Sequence, residues 1–370
     1  MNTPRRIMIV TGTRAEFGLL RSVIAAVQAH AALDLQLVVT GTHLLPPART
    51  VNEVARAFPI AATVEAQQPG ESGRLADVTA LGRLISGLQP EFTRLNPDVV
   101  VVLGDRLEAF GAASVASLAG IRVAHLHGGD RAEGVADEAM RHAISKLAHL
   151  HLPATRASAE RLMCMGEDRG RIHIVGSPGL HDLATTPALD NNTFAALGSP
   201  DLLILHHPVG ERDDVEASRM TMLLETARGC GTVLALHPNH DPGRSGILTA
   251  IEQSGVRTVV HLPRPMFLGL LQHVKALIGN SSAGLIECAA IGLPVVNVGS
   301  RQSGRERAEN VIDVAEFEPG ALRSAILSAV ERAHRSVKHP FGDGRTGERV
   351  ADLLASFDPA SLSIRKLNTY

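Results

Sequence analysis

The chain has 370 residues, 45% of them hydrophobic and 20% charged, the make-up of a globular protein too long for one ordinary domain. A formal charge of −2 and 3% aromatic residues with no Trp provide neither a field that gathers a polyanion nor stacking platforms, so nucleic acid is excluded as an expected partner. Cys164, Cys230 and Cys288 are odd in number and lack metal or redox spacing, and the apolar run at residues 7–10 is too short for a signal-peptide core or a membrane span; the expected setting is a reducing cytoplasm, with no membrane partner.

In chain order, short apolar runs at residues 7–10, 35–39, 99–103, 121–126 and 149–152 lack the alternation of a one-sided sheet and stand a crossover apart, which predicts buried parallel strands. Helical stripes fill the gaps. Leu19, Leu20, Val23, Ile24 and Val27 recur at three- and four-residue intervals, as do Val135, Ala139, Ala143, Leu147 and Leu150. A doubly wound α/β domain over residues 1–178 follows. Residues 177–200 hold three prolines and the pair Asn191-Asn192 and read as a loop with the hinge. Beyond it the pattern restarts at residues 202–205, 232–236, 256–262, 276–278 and 294–298, giving a second α/β domain over residues 200–345. Ligands of such sheets bind beyond the carboxyl ends of the strands, so two halves facing one another across an active cleft are expected.

Polar residues gather at those strand ends. Thr11-Gly12-Thr13-Arg14-Ala15-Glu16 opens a helix whose free N–H groups, with Arg14, suit a phosphate; a glycine turn with a solvated Arg explains the same string. Gly104-Asp105-Arg106 places a carboxylate at the mouth of a buried strand, as acid or base, or as the cap of a helix beginning near Glu108. In His125-Leu126-His127-Gly128-Gly129-Asp130, strand alternation points both histidines to one side. Asp137, Glu138, Arg141 and His142 sit on the next helix, where Asp137 and Arg141 are also spaced as a simple ion pair.

The second half repeats the theme. His206-His207-Pro208 and His237-Pro238-Asn239-His240-Asp241 follow apolar strands, and each proline turns the chain out of the sheet. Gly279-Asn280-Ser281-Ser282-Ala283-Gly284 leads into the helix carrying Glu287, a cradle for phosphate with a carboxylate in reach of a ribose diol, against the plainer reading of Ser281 or Ser282 as a cap. Arg301 adds a bidentate anion partner.

Together these strings resemble the hydrolysing UDP-N-acetylglucosamine 2-epimerases of the sialic and legionaminic acid type. The match runs from Gly12-Thr13-Arg14-Ala15-Glu16-Phe17-Gly18 through Gly104-Asp105-Arg106 and Asp137-Glu138-Ala139-Met140-Arg141-His142-Ala143-Ile144 to Gly279–Gly284 and Arg301-Gln302. The resemblance implies two Rossmann-like domains of GT-B type, with residues 346–370 forming a helix that packs back on the first. It implies a UDP-sugar substrate, no cofactor or metal, and a homo-oligomer, dimer or tetramer. It also implies removal of the sugar C2 proton, loss of UDP and hydration of the resulting glucal.

By that resemblance Asp105, His127, Asp130, Asp137 and His207 are the catalytic candidates. Arg14, Arg106, Arg141, His237, Asn239, Ser281, Ser282, Gly284, Glu287 and Arg301 are the substrate-binding ones. The chain departs from some members in having His127 where they carry Glu, and from others in having Asp130 where they carry Glu, which leaves open which group handles the second proton transfer. Four other readings compete. A metal phosphoesterase would use the same His and Asp residues but wants an Asn-His pair, and Asn280 is followed by Ser281. A GT-B glycosyltransferase would share the nucleotide site yet need no converging carboxylates. A non-catalytic sensor would bind without turnover, and a non-hydrolysing epimerase would return UDP-sugar.

Overall fold

The computed structural model describes residues 3–46, 49–71, 73–132, 138–183, 185–239, 241–332, 334–358 and 362–369. The chain divides into two compact units: one contains the first six strands and the C-terminal segment from Phe341, the other runs from Asp182 to Pro340 with a short piece following Asp130.

In the first unit β1 (Arg5–Thr11), β2 (Leu33–Thr40), β3 (Ile60–Val64), β4 (Val99–Leu103), β5 (Arg122–Leu126) and β6 (Leu150–Leu152) form a parallel sheet ordered β3-β2-β1-β4-β5-β6. The run Val99-Val100-Val101-Val102-Leu103 is buried throughout because both faces of the sheet are covered. Its alternation divides the core. Ile7, Ile9, Val99 and Val101 pack with Leu20 and Ile24 of the Arg14–Ala29 helix and with Val350 and Leu354 of the Thr346–Ser356 helix. Met8, Val10, Val100 and Val102 pack with Leu84, Leu88, Ala112 and Ala116 on the other face.

The second unit repeats that plan with β7 (Leu202–Leu205), β8 (Val233–Leu236), β9 (Arg257–Val259), β10 (Ala276–Gly279), β11 (Val295–Val298) and β12 (Val311–Val314), ordered β12-β11-β10-β7-β8-β9. With β7 standing for β1 and β10 for β4, the order is the same. Both are Rossmann sheets, and each has a switch point where the order reverses, between β1 and β4 and between β7 and β10. No described helix is long and apolar enough to cross a membrane.

Several elements depart from the sequence pattern. β3 and β12 are edge strands, largely half-buried or exposed, so neither carries an unbroken apolar run. β9 covers only residues 257–259 of the expected 256–262. The Glu138–Leu147 helix stops before Leu150, which belongs to β6, and Val135 lies outside the described residues. Asn191-Asn192 is not loop: it opens the Asn191–Ala196 helix, whose Thr193 N–H is taken by Asp190. The C-terminal tail caps the Glu138–Leu147 helix, with Lys366 Nζ donating to Ser145 O at 2.8 Å and Lys146 O at 2.9 Å and lying 2.5 Å from the buried Glu167 carboxylate.

Candidate functional site

At the first switch point β1 ends in Thr11, and Thr13 caps the helix that follows by accepting the Glu16 N–H at 3.2 Å. Arg14, in the first turn, is held by Glu53 at 3.0 Å. β4 delivers Gly104, in the left-handed region at φ +73, then Asp105 and Arg106. Arg106, not Asp105, occupies the cap position of the Leu107–Leu118 helix. That leaves the Asp105 carboxylate to form a close ion pair with Arg141, whose Nη1 also donates to His127 O at 3.4 Å. Sequence spacing offered Asp137 as the partner of Arg141; Asp137 lies outside the described residues. Glu138 is 3.4 Å from His142 on the same helix.

His125 and His127 do not share a side. The strand ends at Leu126 and His127 adopts φ +61, so alternation no longer governs it. His125 is buried between Ser145 Oγ at 3.1 Å and Gly104 O at 2.7 Å, and burial pushes its pKa down to about 3, which keeps it neutral. His127 Nδ1 is 2.7 Å from Asp130 Oδ2 and its Nε2 is 3.2 Å from Ser177 Oγ, while Asp130 Oδ1 accepts the Ser158 hydroxyl at 2.8 Å. An ionised Asp130 fixes the tautomer with the proton on Nδ1, and Nε2 then accepts from Ser177. The tight Gly128-Gly129 turn makes this possible: at Gly129, φ +75, a Cβ would stand 2.2 Å from Ser158 O. His127 and Asp130 therefore form one buried unit. Ser158 and Ser177 carry no spacing signal, because the fold brings them in from remote positions.

At the second switch point Asn280 ties the β10 turn to the β7 turn. Its Oδ1 accepts the His207 N–H at 2.7 Å and its Nδ2 donates to His207 O at 2.8 Å. Arg301 Nη1 at 3.2 Å and Gln302 Nε2 at 2.9 Å both donate to Asn280 O. His207 Nδ1 accepts the Asn239 N–H at 3.1 Å, and the Asn239 amide donates to Asp241. Burial first, then the Arg301 charge, hold the His207 pKa well below its usual value, so the ring is neutral.

Ser281 does cap the short Ser282–Leu285 helix, accepting the Ala283 N–H at 3.3 Å. The helix then breaks at Ile286, so Glu287 opens a second short helix, Glu287–Ile291, instead of lying in the helix that the Gly279–Gly284 string opens. Glu287 is buried and 3.3 Å from Arg264 Nη1. Gly284 lies so close to Val295 that a Cβ would be 2.9 Å from its Cγ1. His237 follows β8 and donates its N–H to Val259 O at 3.2 Å; His240 lies outside the described residues. On the β11 and β12 side a cavity of about 280 Å³ is lined by His206, Glu216, Arg219, Ser300 and Phe317. Among the described residues no three His, Cys, Asp or Glu side chains are grouped as a metal ion would require.

The family model for UDP-N-acetylglucosamine 2-epimerase matches residues 25–355. The UDP-N,N'-diacetylbacillosamine 2-epimerase (hydrolyzing) of Legionella pneumophila is 37% identical, with 99% of this chain and 100% of that protein aligned. The UDP-N-acetylglucosamine 2-epimerase of Neisseria meningitidis serogroup B is 32% identical over 98% of each. Among solved structures, the Methanocaldococcus jannaschii UDP-GlcNAc 2-epimerase in complex with UDP-GlcNAc and UDP superposes with a TM-score of 0.79, at 19% identity, covering 94% of this chain and 99% of that one. That likeness is one of fold, the paired Rossmann units of the GT-B class. The family match and the end-to-end identities, on top of the strand-end motifs, lead to one conclusion: this chain belongs to the UDP-N-acetylglucosamine 2-epimerase family.

Proposed function

We propose that the chain is a hydrolysing 2-epimerase, which converts UDP-N-acetylglucosamine or a close UDP-linked 2-acetamido sugar to UDP and the free N-acetylmannosamine-type sugar. The observation that supports this reading is the 37% identity to the Legionella hydrolysing enzyme over 99% of this chain and 100% of that protein.

In this reading the first unit handles protons and the second holds the nucleotide. The C2 hydrogen is weakly acidic, so its removal by a carboxylate has to be concerted with departure of a good leaving group. Asp105 is the group proposed to take that proton. Its pairing with Arg141 fixes the carboxylate's orientation before substrate arrives. Asp137, assigned from its motif, is proposed as the second carboxylate. The His127–Asp130 unit is proposed to serve hydration of the 2-acetamidoglucal: an imidazole whose Nδ1 proton is held by Asp130 leaves Nε2, which accepts the Ser177 hydroxyl, as its basic site.

In the second unit, Ser281, Ser282 and Arg301 are assigned to the diphosphate and Glu287 to the ribose diol. Neutral His207 is assigned as hydrogen-bond partner of the leaving phosphate.

Mass spectrometry of the products from UDP-N-acetylglucosamine, from its 2,4-diacetamido relative and from a GDP-linked analogue tests the proposal. Free UDP in step with a free 2-epimerised sugar supports it and ranks the donors. A 2-epimer still attached to UDP would move the chain to non-hydrolysing chemistry, and binding without turnover of any donor would leave a sensor.

A further inference from the structure

Two carboxyl groups that the proposed reaction does not use meet on one glycine at the first switch point. Glu16 is 5% exposed and Glu108 is 0% exposed. Glu16 Oε2 accepts the Gly12 N–H at 2.6 Å and the Thr11 hydroxyl at 3.4 Å. The Glu108 side chain packs on the same Gly12 so closely that a Cβ there would lie 2.3 Å from its Cγ. Gly41, at φ +62, completes the clamp, since a Cβ on it would stand 2.5 Å from Gly12 O and 2.6 Å from Glu108 Oε1. The turns after β1, β2 and β4 are thus fastened around these two side chains, and those turns carry Arg14, Asp105 and Arg106.

Charge counting weighs against double ionisation of the pair. Arg106 Nε lies 3.3 Å from Glu108 Oε2, and Gln67 Nε2 donates to Glu108 Oε1 at 3.0 Å. His43 Nε2 lies 3.3 Å from Thr11 Oγ1, and burial pushes its pKa down to about 4, so it adds no charge. Arg14 is directed to Glu53. Two buried carboxyls therefore share one guanidinium among these described contacts, and a second buried negative charge would be uncompensated. Glu108 has the cation, so burial puts the proton on Glu16, outweighing the Gly12 N–H bond to Oε2 that favours the ionised form.

We propose that Glu16 and Glu108 act as a carboxylic acid–carboxylate pair that positions the Thr11–Arg14 and Gly104–Arg106 turns, with Glu16 carrying the proton. Neither is a catalytic residue. Burial, and next the Glu108 charge, raise the Glu16 pKa from 4.5 to about 8, which is where the clamp should fail. The sign follows from proton uptake. The folded chain keeps a proton that the unfolded chain has lost, so stability falls as pH rises from about 4.5 and levels off above about 8. Above that value ionised Glu16 repels Glu108 across Gly12 and loosens both turns.

Infrared difference titration and thermal melting of the full chain test this on wild type, Glu16→Gln, Glu108→Gln and the surface control Glu71→Gln, whose carboxylate is paired with half-buried Arg83. Wild type and E71Q should show a carboxylic-acid C=O band at neutral pH that titrates away near pH 8, and E16Q should lack it. E16Q should also lose less melting temperature than wild type as pH rises from about 5 to about 9. An absent band in wild type, or one that survives in E16Q, overturns the assignment, and E16Q decides this even if E108Q does not fold. For the positioning role, folded E108Q should raise KM for the UDP-sugar roughly tenfold with a smaller change in kcat. An unchanged KM overturns that role. Only this last arm rests on the reaction proposed above; the infrared and melting arms need no substrate.

Discussion

The two switch points stand on the same strand order and are built from opposite chemistry. Beyond β1 and β4 the chain places acids answered by arginines: Asp105 with Arg141, Glu108 with Arg106, and buried Glu16 beside them. Beyond β7, β8 and β10 it places imidazoles and amides: His206 is buried there, and His207, Asn239 and Asn280 are tied together by hydrogen bonds to backbone. Burial holds both histidines below their ordinary range, so neither imidazole adds a charge beside Arg301. The same strand order therefore carries one end lined by acid–arginine pairs and one lined by neutral imidazoles and amides. The turns, not the sheets, carry that difference.

The comparison breaks most visibly if the first end is disabled. Asp105→Asn keeps the shape but cannot accept a proton, so kcat should fall about 10²–10⁴-fold while calorimetric UDP affinity stays within about twofold. A comparable loss of UDP affinity would mean that the two ends do not divide the work. Glu287→Ala should show the reverse, weakening UDP binding by up to about 3 kcal/mol with a smaller effect on kcat.

The neutrality of His206 and His207 predicts an acid limb. The folded His206 pKa is about 3 against an ordinary 6.5, so below pH 6.5 the unfolded chain takes up a proton that the folded one refuses. Stability should fall as pH drops through that window, by about 2 kcal/mol at pH 5 from this group. His206→Phe keeps a ring against Phe317, 5.6 Å away, and should remove that share of the pH dependence in denaturant melts. An undiminished acid limb would show that His206 is not held neutral.

What the sequence made legible follows from physics that is local. Strands such as β4 and β7 are buried on both faces and declare themselves as unbroken apolar runs, whereas edge strands β3 and β12 bury too little to do so. Gly104-Asp105-Arg106 and Asn280-Ser281-Ser282 stand out because a strand end concentrates polar residues in a contiguous string. Their partners do not. Arg141 reaches Asp105 from another helix, Ser158 and Ser177 reach the His127–Asp130 unit from remote positions, and Arg264 reaches Glu287 from the segment before β10. The left-handed turn at His127 also has no residue-level signature, because strand alternation predicts nothing about where the strand stops. The family resemblance supplied roles for the strings but not these contacts.

The most direct test of the account is the reaction run in D₂O with the best donor, the product being read by NMR as it forms. Removal of the C2 proton and its return from solvent to the opposite face predict UDP release together with a free manno-configured N-acetyl sugar carrying deuterium at C2. A released gluco-configured sugar without deuterium at C2 would be simple glycosyl hydrolysis, and would contradict the proposed role of Asp105 as the base at C2.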